Sequence, residues 1–259
     1  MREYWVILRA ELFGLFISPA TYVASFYFLS LLAIGFRFFI ESFTSTDWIL
    51  PPLSSLVVGL VFGSPGLIPF LTMRSFAEER RLGTLETLMS APVGSISLVL
   101  GKWSASYLFF LIICGFAFCF PALLHFLFPE QGETLGFTQY EQWIGAWTFL
   151  MIFGASFTSV GIFASSITKN QMVAGMLSFT LLTLYLSIMA FSFGESSSLN
   201  SIDNFSDFWN ACLGSFGHGL HKLQHFSVGL IDVGTIFHQL ILSFLFLSLA
   251  TLQVERLNH

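Results

Sequence analysis

His218, His221 and His225 stand three and four residues apart, so a helix would carry their imidazoles on one face. Imidazole is a common ligand for zinc and copper. No carboxylate or cysteine is evidently paired with the cluster, as a closed metal site would need. The expectation is no metal site, with the three histidines and Lys222 forming the polar face of an interfacial helix. The chain has no Gly-x-x-x-x-Gly-Lys-Ser/Thr phosphate loop, no His-Glu-x-x-His and no Gly-x-Ser-x-Gly. No catalytic residue and no cofactor held by this chain are expected. What remains is charge. Arg74-Ser-Phe-Ala-Glu-Glu-Arg-Arg-Leu-Gly-Thr-Leu-Glu86 holds seven Arg, Glu or Thr in thirteen residues, in a chain only 10% charged. Such a stretch suits a surface that meets another protein.

The rest of the composition explains why that stretch stands out. The chain is 55% hydrophobic with 33 Phe, its mean hydropathy is +0.79, and soluble domains carry about 25% charged residues. A soluble core cannot absorb this much Phe and Leu without large exposed patches. The integral-membrane class follows. A net charge of −5 without a basic cluster does not suggest nucleic acid, and none is expected as a partner. Cys114 and Cys119 lie in an apolar run, which argues against a disulfide framework. Met-Arg-Glu-Tyr-Trp is not read as a removable signal peptide.

About 20 apolar residues cross a hydrocarbon core. The chain supplies six such runs, at about 20–40, 53–73, 104–127, 143–165, 172–193 and 234–252. The whole chain, 1–259, reads as a single all-α membrane domain. Residues 3–17 place Trp5, Leu8, Leu12 and Phe16 at 3-4-4 spacing. They form either an amphipathic helix at the membrane surface or an extension of the first span. Gly59-x-x-x-Gly63 in the second span, and Gly154, Thr158, Gly161 and Ser165 in the fourth, are small residues spaced for close helix contact. Pro65-Gly66 predicts a kink in the second span. Residues 204–230 are too polar to span and read as helical structure at the outer interface before the sixth span.

Six spans put both termini on one side. Arg2, Arg9, Arg74, Arg80, Arg81, Lys102, Lys169 and Arg256 share that side, leaving Arg37 and Lys222 on the other. By the positive-inside rule the termini and residues 74–92 are cytoplasmic. Ionisable residues within spans mark ion paths. They are nearly absent here, which disfavours an ion-driven secondary transporter. Gly83 is expected to end a first short helix. Thr84 would cap a second, with Glu86 in its first turn.

Phe76-Ala-Glu-Glu-Arg-Arg-Leu-Gly-Thr-Leu-Glu-Thr-Leu-Met-Ser-Ala-Pro92 resembles the coupling region of the ABC-2-type transporter permease family, with Leu71, Met73 and Arg74 also in register. Phe226-x-x-Gly229-x-x-Asp232 resembles its gliding-motility-associated branch. The resemblance implies a multi-pass permease subunit of the bacterial inner membrane that couples ATP hydrolysis to export or translocation. It also implies a dimer of separate cytoplasmic ABC ATPases that bind the ATP and Mg, and a second permease copy or paralogue. Surrounding lipid is a further partner, and an extracytoplasmic partner protein an additional one. In the alternative, the chain is a non-transporting anchor that transmits force to that external partner. The ATPase-coupling residues would be Arg74, Phe76, Glu78, Glu79, Arg80, Arg81, Gly83, Thr84, Leu85 and Glu86. Phe76, Leu85 and Leu88 would be the apolar anchors.

Overall fold

The computed structural model describes residues 2–45, 52–84, 94–130, 135, 137, 139–191 and 233–256, and all regular structure among them is helical. The helices are α1 (Arg2–Ile17), α2 (Pro19–Ser45), α3 (Pro52–Thr72), α4 (Ala77–Leu82), α5 (Ser95–Leu127), α6 (Tyr140–Ile167), α7 (Gln171–Phe191) and α8 (Val233–Arg256). Six of them, α2, α3, α5, α6, α7 and α8, are long and apolar enough to cross a membrane. α2 runs on to Ser45, five residues past the expected end of the first span, since no breaker intervenes before Pro51. The proposed interfacial segment at 204–230 lies outside the described residues.

α6 is the hub. It packs against α3, α4, α5, α7 and α8, and 72% of its apolar window is buried, against 22% for α2, α7 and α8. Lipid tails are as apolar as Phe or Leu, so burial alone does not drive spans together. Close packing and hydrogen bonds between helices do. Small residues supply the packing. A Cβ on Gly161 would stand 2.9 Å from Thr72 Cγ2 of α3, and one on Gly154 would stand 2.6 Å from the Phe110 ring of α5. On α3, Gly63 meets Phe28 and Gly59 meets Leu32, both from α2. The Ala155 carbonyl accepts from Trp103 Nε1 of α5 at 3.2 Å and from Ser243 Oγ of α8 at 3.4 Å. Phe149, Phe153 and Phe157 form an aromatic ladder along the buried face of α6.

α3 continues as a helix through Pro65 and Pro69. Pro65 has no N–H to offer the carbonyl of Val61, four residues back. Ser64 Oγ donates to that carbonyl at 2.6 Å instead, a repair expected where no water can reach.

One end of the bundle collects Arg74, Arg80, Arg81, Lys102, Lys169 and Arg256 at the termini of α3 to α8; it is called the basic end below. α1 lies across the first half of α5 at this end. Tyr4 O–H donates to Ser104 Oγ at 2.9 Å, Ile7 fills the space over Gly101, and Phe16 packs edge-on against Phe109.

Candidate functional site: a charged elbow at the basic end

The chain turns at residues 73–76 after α3 and enters α4, six residues long. A helix this short leaves most of its backbone donors and acceptors without intrahelical partners. The residue at its N-cap is Phe76, whose side chain cannot accept a hydrogen bond. The cap comes from α6. Ser165 Oγ accepts from Phe76 N–H at 3.0 Å and from Ala77 N–H at 3.2 Å, while its own proton goes to the Met73 carbonyl at 3.3 Å. One donor and two acceptors are the full capacity of a hydroxyl. Arg80 makes a second tie, its Nη1 donating to the Ser166 carbonyl at 2.6 Å. Carbonyls in the last turn of a helix lack intrahelical partners and sit at the negative end of its dipole, so a guanidinium there is doubly favoured. Gly83 closes α4 in the left-handed region at φ +72°, its N–H returning to the Glu79 carbonyl. Only glycine adopts that conformation at little cost.

A buried cation holds the inner face. Lys102 of α5 is 1% exposed. Its Nζ donates to Glu79 Oε1 at 2.7 Å and to Glu11 of α1, and lies 5.2 Å from the centre of the Phe76 ring. A buried ammonium persists only when it is paired and hydrogen-bonded. Here two carboxylates and an aromatic face meet that need, and they join α1, α4 and α5 at one point. Glu79 Oε2 is buried and has no hydrogen-bond partner.

The expected coupling residues thus separate into two sets. Phe76, expected to anchor a partner, is fully buried under Lys102, so it cannot face another protein. Glu79 and Arg80 turn inward to Lys102 and Ser166. Arg74 turns toward Ser18 Oγ, at 3.0 Å, with Glu78 at 3.9 Å. Glu78 is half-exposed, and Arg81, Leu82, Gly83 and Thr84 are exposed. Thr84 Oγ1 donates back to the Glu79 carbonyl at 3.4 Å. Leu85, Glu86 and Leu88, and with them the body of the expected second helix, lie outside the described residues, as do His218, His221 and His225.

Sequence reasoning missed Lys102 and Glu11 as a pair, and the capping role of Ser165. One signal was present: Lys102 is the one Asp, Glu, Lys or Arg in the 33 residues of α5, and Glu11 stands in the otherwise apolar second half of α1. Lone opposite charges on two apolar helices call for each other. Lys102 and Glu11 both lie outside the expected spans, at the basic end, so the scarcity of ionisable residues within the spans is a separate matter from this pair.

The chain that carries this elbow matches one known family along most of its length. The model for ABC-2 family transporter protein matches residues 16–251, from the end of α1 into the last turns of α8. It matches the family as a whole and does not single out the gliding-motility-associated branch. No curated protein matches the chain. With nearly its whole length inside that match, this chain belongs to the ABC-2 transporter family and is the multi-pass membrane subunit of an ABC transporter.

Proposed function

We propose that α4 is the docking element for a separate cytoplasmic ATPase, and that the chain uses the ATPase's closure to drive export across the bacterial inner membrane. In this reading the basic end and both termini are cytoplasmic, ATP and Mg are held by the ATPase pair, and a second copy or paralogue completes the membrane unit. One observation carries the proposal. α4 is tied inward to α5 and α6 through Glu79, Arg80 and the Ser165 cap, while Glu78, Arg81 and Leu82 face outward. A helix fixed on one face and exposed on the other can pass a displacement inward with little loss. The outward face pairs an exposed Leu, 61% accessible, with charges of both signs, the composition of a small interface with an apolar centre and a polar rim.

Co-expression with the ATPase and pull-down of the complex tests this. L82D combined with R81E is expected to lose most of the co-purified ATPase while the membrane subunit still folds, since neither side chain supports the bundle. Undiminished recovery of the ATPase with this double variant would remove α4 as the docking element.

A further inference from the structure

α2 and α3 run antiparallel, joined where Phe28 meets Gly63 and Leu32 meets Gly59. Along that seam they leave an apolar groove of about 980 Å³. It extends from Phe36 and Ser55 at one end to Ala20 and Phe70 at the basic end. At about 1.5 Å per residue, the stretch of α2 from Ala20 to Phe36 is about 24 Å long. That is most of the hydrocarbon thickness of about 30 Å. Gly35 and Gly66 line it, and a Cβ on either would meet nothing within 4 Å, so the groove is open where side chains would normally fill it.

A cation stands at the basic mouth. Arg74 lies four residues past Phe70, in the turn after α3, and Ser18 two residues before Ala20, between α1 and α2. The Arg74 side chain is 46% exposed, gives one hydrogen bond to Ser18 Oγ at 3.0 Å, and has its nearest carboxylate, Glu78, at 3.9 Å. A guanidinium has five N–H donors and matches phosphate oxygens in a two-pronged geometry.

We propose that this groove binds a phospholipid with an anionic headgroup, its acyl chain lying between α2 and α3 and its phosphate on Arg74. A guanidinium with donors to spare suits a headgroup whose phosphate charge is not offset by a quaternary amine, and the apolar walls on two membrane-spanning helices suit its acyl chain. A second copy is a poorer fit. A two-fold interface apposes the same patch from both subunits, and two concave grooves placed face to face enclose a void.

The test uses the full chain, purified in mild detergent with equal amounts of phosphatidylglycerol and phosphatidylcholine and weighed by native mass spectrometry. Wild type is expected to retain phosphatidylglycerol in preference. R74Q is expected to lower that retention about tenfold, the value of one charge-assisted hydrogen bond. G66F should displace both lipids, because its ring has open space to occupy in the groove and replaces a poor helix former, which leaves folding intact. Equal retention of the two lipids by wild type, or retention unchanged in both variants, overturns the proposal. So does efficient disulfide linkage between copies by V23C in native membranes, which would put a second copy on the groove wall.

Discussion

Replacing Lys102 by Met removes the one cation shared by Glu11 and Glu79 and keeps a side chain of similar length. At 2.7 Å and an effective dielectric constant near 20, the Glu79–Lys102 attraction is about 6 kcal/mol. Desolvating the charges offsets much of it, and loss of one partner from a buried pair costs about 3–5 kcal/mol. Glu11 and Glu79 keep 29% and 24% of their side-chain exposure, so water relieves part of the loss. The lower end, about 3 kcal/mol, is the expected figure. For a chain of this size that lowers the melting temperature by about 6–12 °C. The assay is the fraction of protein remaining monodisperse on size-exclusion chromatography after heating in detergent. The control is E11Q/K102M/E79Q, in which no charge is stranded; it should recover at least about half of the lost stability, because removing both sides of a buried pair costs far less than removing one. A K102M midpoint within about 1 °C of wild type, or a triple variant no better than K102M, would refute the reasoning.

Two further outcomes follow from the same end of the bundle. S165A should cost about 1–2 kcal/mol by uncapping α4, seen as faster hydrogen exchange at the Phe76 and Ala77 amides with exchange at the centre of α6 unchanged. G161V should cost about 1–3 kcal/mol, since its Cβ must displace Thr72 at the α3–α6 contact; thermal unfolding in detergent measures it, and T72A should recover part of the loss.

The spans were readable because about 20 apolar residues between polar breaks leave little alternative. The Gly83 stop was readable too, since a glycine after a charged helical run predicts a left-handed cap. The direction each charge faces was not. In Phe76-Ala-Glu-Glu-Arg-Arg, Glu78 and Glu79 are chemically alike, and a helix of six residues is too short for periodicity to tell its inner face from its outer. Only the location of Lys102 in space separates them. Phe76 misled for a related reason: next to four charges it looks like a surface anchor, but a long-range cation draws it inside. The Ser165 cap comes from 89 residues away, where no local capping pattern can reveal it.

The attachment of α4 to α6 sets how far a disturbance must travel. α6 shares contacts with α3, α5, α7 and α8, so in network terms four of the other five spans are a single step from the helix that holds Ser165 and Ser166. α2 is one step further, reached through α3 or α5. A movement of α4 therefore need not pass from span to span around a ring. It enters at the best-connected node, with α2 the one span that lies a contact further away.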